Sequence, residues 1–193
     1  MSTTDALVDV ETITTTARDA AVTELSEIPD ALDRLSRSAE AADQAQAALT
    51  AAREGRDRLL LSLNVYDRVR GLPKLAAVAP TTLFHVRKRA LGTTIPKRKD
   101  NPLVRDHDQI VQKAKRLGVE RVPKDQALEA LPRYVEDVAK AEGRLAGALT
   151  VRDATLEALV DSGEHTRMEL AAVMGRDRSL VTHHLARRAR SDD

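Results

Sequence analysis

A stretch of about sixty residues recurs in this chain, and a chain that repeats itself at that length folds as two copies of one unit that must cover each other's apolar faces. In one register, ninety-six positions apart, Leu32 pairs with Leu128, Leu35 with Leu131, Arg56 with Arg152, Asp57 with Asp153, Leu60 with Leu156 and Leu63 with Leu159. Further on, the tetrapeptide LAAV stands at Leu75 to Val78 and again at Leu170 to Val173, ninety-five positions apart. One indel between Leu63 and Leu75 reconciles the two spacings. The competing explanation is that two alanine-rich amphipathic helices resemble each other through periodicity alone. The repeated Arg-Asp pair and LAAV argue against it.

Each copy opens on an apolar seam. The first runs Ile28, Leu32, Leu35, Ala39, Ala42, Gln46, Leu49, Arg53, Arg56, Leu60, Leu63, and the second Leu128, Leu131, Val135, Val138, Glu142, Leu145, Leu149, Arg152, Leu156, Leu159. Steps of three and four are those of a coiled-coil face. Neither seam is buried by its own helix, so the two helices pack on each other in one chain or on a second copy in a homodimer. Parallel and antiparallel pairings both remain open. The fold expected is all-α, an internal duplication of a long helix plus a helix-turn-helix unit, with the long helices paired in a coiled-coil-like seam. The boundaries are an acidic, Thr-rich segment 1–26, a first repeat 27–92 (long helix 27–64, short unit 70–92), a basic connector 93–123, and a second repeat 124–193 (long helix 124–161, short unit 164–190). The segment 1–26 reads equally as a frayed tail or a short helix. A helix is expected within the connector near Asp106 to Leu117, ended by Gly118.

Composition supports helix over sheet, because the apolar residues are mostly Ala, Leu and Val and the aromatics only Tyr66, Phe84 and Tyr134. Cysteine is absent, which removes disulfides, thiolate chemistry and Cys-based zinc sites. No apolar run approaches a membrane span and the N-terminus lacks the form of a signal peptide, so the expected location is the cytoplasm, at the nucleoid.

In the second copy, Thr166-Arg167-Met168-Glu169 has the form of a capping box that starts a helix. Ala171 is small enough to admit a neighbouring helix, Gly175 permits a left-handed turn, and Val181 and Leu185 would close a second helix onto Leu170 and Met174. This pattern resembles the helix-turn-helix DNA-binding superfamily, in the compact all-helical style of bacterial and phage regulators and of the promoter-reading region of sigma factors. Arg176 departs from it, standing where the family usually has an apolar residue. The resemblance implies a groove-facing surface at Arg178, Ser179, Thr182, His183 and Arg187, with Arg188 and Arg190 on phosphates. In the first copy, aligned on LAAV, Pro80 stands at the place of Gly175, the turn reads as shorter, and the second helix starts near Pro80. The DNA candidates are then Thr82, His85, Arg87, Lys88 and Arg89.

Charge is distributed to suit. The chain carries a net +1, but residues 1–50 hold ten acidic residues against Arg18, Arg34 and Arg37, so basic charge gathers downstream at the two short units and at Lys97, Arg98 and Lys99. Such clustering is the electrostatic footprint of phosphate binding, although a solvated helix face or a solubilising linker gives the same pattern. No phosphate loop, His-Glu-x-x-His helix or Gly-x-Ser-x-Gly elbow occurs. His107 between Asp106 and Asp108 does not make an acid-base pair, because consecutive helical residues diverge. The expectation is a non-enzyme without cofactor or metal: a sequence-specific double-stranded DNA-binding protein, whose role as a transcriptional repressor or regulator of phage or plasmid type rests on fold analogy alone. The alternatives are an architectural, DNA-bridging protein with weak sequence preference, and a coiled-coil scaffold for a protein partner.

Overall fold

Asp30 ends the chain's first turn region and starts its first long helix, its Oδ1 accepting the backbone N–H of Asp33 at 2.7 Å. From there alanine, leucine, glutamine and arginine, all good helix formers, carry the helix to Val65 without a proline. The computed structural model describes residues 8–92, 99–100, 105–179 and 181–182. Among the described residues there are helices and no strand: α1 Val10–Ser26, α2 Ala31–Val65, α3 Leu72–Leu75, α4 Pro80–Leu91, α5 His107–Arg116, α6 Lys124–Ser162 and α7 Arg167–Val173. The protein is all-helical, and its two long helices, α2 and α6, pack on each other.

The chain divides into two compact units, and the division falls inside both long helices. Unit 1 takes the described residues of Met1–Val10 and Thr50–Val138, and unit 2 those of Glu11–Leu49 and Ala139–Asp193. Each unit therefore combines half of one sequence repeat with half of the other. In unit 1, Leu59, Leu60 and Leu63 near the end of α2 pack with Ala127, Leu131 and Val135 near the start of α6. In unit 2, Leu35 and Ala39 near the start of α2 pack with Leu156 and Leu159 near the end of α6. The pairing is antiparallel in each unit, and the parallel alternative does not form. The cores repeat the ninety-six-residue register: Leu35 and Ala39 do in unit 2 what Leu131 and Val135 do in unit 1, and Leu60 and Leu63 do in unit 1 what Leu156 and Leu159 do in unit 2.

The seam differs from its expected course in the middle. Ala45 and Ala52 are buried, whereas Gln46 and Arg53 are exposed. In α6 the buried positions are Ala148, Val151 and Thr155 rather than Leu145, Leu149 and Arg152. Small residues at the contact let helix axes approach, so the larger side chains lie at the flanks. Arg56 stays in the seam at 8% exposure and pairs with its neighbour Asp57 at 2.9 Å. Arg152 and Asp153, the repeat equivalents, pair in the same way at 2.6 Å.

Two close approaches fix the packing further. Gly55 lies under the Tyr134 ring, where a Cβ would come within 2.6 Å of Cδ1. Gly143 and Gly147, one turn apart on α6, admit the backbone of α1: a Cβ on Gly147 would meet the Arg18 carbonyl oxygen at 2.6 Å, and one on Gly143 the Ala17 Cβ at 2.8 Å. The acidic N-terminal segment is thus a docked helix from Val10 onward, with Leu25 buried against Ala42, Ala148 and Val151. In unit 1, α5 is capped by Asp106, whose side chain accepts from the Gln109 N–H at 3.2 Å. Residues 119–122 then run back along α2. Tyr66 donates to the Val119 carbonyl at 2.6 Å, and Ser62 accepts from the Val122 N–H at 2.9 Å.

Candidate nucleic-acid interface

In unit 2, α7 starts at the expected capping box: the Thr166 hydroxyl accepts from the Glu169 N–H at 3.3 Å and the Glu169 carboxylate accepts from the Thr166 N–H at 2.7 Å. It ends in a reverse turn in which Gly175 N–H donates to Ala172 O at 3.0 Å and Arg176 N–H to Ala171 O at 2.9 Å. Gly175 has φ 62°, the left-handed conformation that glycine adopts at no steric cost. Asp177 then accepts from the Ser179 N–H at 3.1 Å, and residues 178, 179, 181 and 182 have helical backbone. Leu170, Ala171, Met174 and Val181 close the two helices onto the Leu35–Leu156 cluster. Leu185 lies outside the described residues.

Unit 1 builds the same turn, but not where LAAV places it. Ala77 N–H donates to Lys74 O at 3.2 Å and Val78 N–H to Pro73 O at 2.9 Å, with Ala77 at φ 48°. Ala77 is therefore the counterpart of Gly175, ninety-eight positions away, holding a left-handed conformation at a cost of roughly 1 kcal/mol. Leu72, buried, takes the place of Leu170, while Leu75 of the LAAV match is 40% exposed. Pro80, the first residue of α4, corresponds to Arg178 and not to Gly175. The two turns are equal in length. The shared tetrapeptide sits at different points of the two turns, and the indel is an insertion of two residues ahead of α7.

This register places the candidate residues. Arg178, Ser179 and Thr182 are exposed on the second helix of unit 2. His183, Arg187, Arg188 and Arg190 lie outside the described residues, as do Lys97 and Arg98; Lys99 is exposed. On α4, His85, Lys88 and Arg89 are exposed, Thr82 is half-buried, and Arg87 points to the inner side with its Nε buried and unpartnered. Thr81 and Phe84 join the exposed stripe of α4 at helical spacing, and sequence reasoning passed over both. Phe84 is 56% exposed and meets the His85 ring edge-on at 5.6 Å between centroids. The signal for them was present in the three- and four-residue steps from Thr81 to Phe84, His85 and Lys88. Arg176, where an apolar residue was expected, pairs with Asp43 of α2 and fastens the turn to the long helix.

No protein-family model matches the chain, and no curated protein or solved structure matches it.

Among the described residues no group of His, Cys, Asp and Glu side chains is arranged to hold a metal ion, and no helix is long and apolar enough to cross a membrane. The backbone and side-chain hydrogen bonds from Thr166 hold the Glu169 carboxyl below its ordinary range. A depressed folded-state pKa contributes stability above the unfolded value and loses it as pH falls through the folded one. Glu169→Gln is therefore expected to lower the melting temperature slightly near neutral pH and to flatten its acid-side decline below about pH 4.3, where the two proteins converge. Parallel acid slopes for the two proteins in thermal melts would contradict this assignment.

Proposed function

We propose that this chain is a double-stranded DNA-binding protein with one helix-turn-helix reader in each unit, acting as a transcriptional regulator. The observation that carries the reading is the same short-helix, left-handed-turn, helix geometry built twice, from different residues, with the exposed face of each second helix carrying donors suited to DNA. In unit 2, Arg178 suits bidentate pairing to guanine, and Ser179 and Thr182 suit bases or phosphates. In unit 1, His85 and Lys88 offer donors, while the exposed Phe84 suits apolar contact with a thymine methyl group. Because the two second helices differ, the site read by one chain is asymmetric.

The antiparallel pairing of α2 and α6 supports a second reading. It puts one turn-and-helix element in each unit, so an architectural protein in which each unit takes its own duplex segment fits the same features.

Selection of bound sequences from a random duplex library, followed by stoichiometry on the winner, separates these readings. An enriched two-part site bound by one chain supports the regulator. Two duplexes per chain without an enriched sequence supports the bridging protein, and no duplex bound at low salt leaves the scaffold for a protein partner. For the regulator, Arg178→Ala is expected to relax preference at one base position by about 1–3 kcal/mol, while Lys88→Ala weakens all duplexes alike and reduces the salt slope by about one. Equal losses on all sequences for both variants would count against Arg178 as a base reader.

A further inference from the structure

The two units of the chain carry opposite net charge. Among the described residues, unit 1 holds seventeen Lys and Arg against twelve Asp and Glu, and unit 2 holds nine against fifteen. The basic excess of unit 1 gathers around its turn and second helix. From Arg68 to Lys99 the sequence contains no Asp or Glu. Lys74 on α3 and Lys88 and Arg89 on α4 are exposed within that stretch, the last two in the final turn of α4.

The matching element of unit 2 is balanced. Between Gly163 and Thr182, Glu164, Glu169 and Asp177 stand against Arg167, Arg176 and Arg178. Arg176 is held by Asp43 of α2, and Asp177, next to Arg178, is exposed. Charges on neighbouring residues lie well within the Debye length of about 8–10 Å, so an approaching phosphate meets their sum. Non-specific duplex binding rests almost wholly on that ionic interaction, and an acid beside the phosphates offsets what a base contributes.

We propose that the phosphate backbone of duplex DNA is gripped by unit 1, through Lys74, Lys88 and Arg89, and that unit 2 adds to binding only where its own base contacts are met. This rests on the DNA-binding function proposed above, and it gives the two helix-turn-helix elements unequal tasks. Unit 1 draws the chain to any duplex and holds it there. The negative charge of unit 2 resists seating until Arg178, Ser179 and Thr182 find matching bases, so repulsion works against the wrong sites. Duplex DNA is favoured over duplex RNA as the occupant, because the exposed stripe of α4 is carried on a helix. A DNA major groove admits a helix, whereas the deep, narrow major groove of duplex RNA does not.

The test is the salt dependence of binding to a labelled random-sequence DNA duplex, measured by fluorescence anisotropy on the full chain between about 0.05 and 0.2 M salt. The combined variant Lys74→Gln, Lys88→Gln, Arg89→Gln is expected to lower the slope by about three and the affinity at about 0.1 M salt by more than tenfold. Exchanging the same positions as Lys74→Arg, Lys88→Arg and Arg89→Lys is expected to keep both, which separates charge from fold. Arg167→Gln, on the exposed surface of α7, is expected to change neither. An unchanged slope in the combined variant overturns the proposal and leaves DNA binding standing. So does a loss in Arg167→Gln as large as that in Lys88→Gln alone. Tighter binding of a duplex RNA would give the surface to another polymer and overturn it too. Absence of binding to any duplex at the lowest salt overturns the proposal and the DNA-binding function together.

Discussion

Leu35→Ala is expected to cost about 2–5 kcal/mol of unfolding free energy, the range for deleting a fully buried leucine whose surroundings cannot collapse. Leu35 has 0% exposure and sits where α2, the end of α6, α7 and Val181 converge. A cavity there removes contacts from all of these elements at once. Against the roughly 5–15 kcal/mol that holds an ordinary domain folded, this is a large share. Urea unfolding would show it as a lower midpoint at unchanged slope. Leu131, its counterpart ninety-six positions on and 2% exposed, is expected to give a loss of similar size in unit 1. A loss below about 1 kcal/mol at either position would mean that the site is not a packed core.

Gly143→Leu is expected to expel α1 from α6. Even a Cβ at this position runs into the Thr14 carbonyl oxygen and lies 2.8 Å from the Ala17 Cβ and 3.0 Å from the Arg18 nitrogen, all on α1 and two of them backbone atoms. Backbone cannot rotate aside as a side chain can, so the helix must move as a whole. Overpacking costs typically about 1–3 kcal/mol, and the loss of the Leu25 contacts adds to it. Hydrogen exchange should show residues 10–26 losing protection, while amides of α4 and α5 in unit 1 keep theirs. Unchanged protection of α1 would contradict the docking. Gly55→Ala is the milder comparison, because there the obstacle is the Tyr134 ring, which can swing.

Much of this architecture was legible in the sequence. The long helices begin and end within a few residues of their expected bounds, because Asp30, Pro123 and Gly163 punctuate them strongly. The capping box and the left-handed Gly175 stand as the residues predict, since both are local geometries written in local sequence. What was not legible depends on partners distant in the chain. Periodicity describes one helix face and carries no information on the direction of its partner, so antiparallel pairing could not be read. Hydropathy favours Leu149 and passes over Ala148, yet alanine and glycine are the residues that let α6 approach its neighbours. The docking of α1 was hidden for the same reason, its key being Gly143 and Gly147 on another helix. In the first short unit, the LAAV identity outweighed turn chemistry and shifted the register. No glycine marks Ala77, so nothing in the sequence announced its left-handed backbone. Of the candidate groove residues, helical spacing located His85, Lys88 and Arg178 on exposed faces, while Arg87 turned inward because Val86 beside it is core.

The contact of Gly55 with Tyr134 sets a preference for unlike halves. In the repeat register Gly55 corresponds to Val151 and Tyr134 to Ser38, both buried. A chain carrying two first repeats would present Gly55 to a serine where it now meets a tyrosine, leaving a void the size of a ring. One carrying two second repeats would drive Tyr134 against a valine where only a glycine leaves room. Each repeat is thus a poor partner for itself and a good one for the other, so the volumes at this one contact disfavour any pairing of like halves.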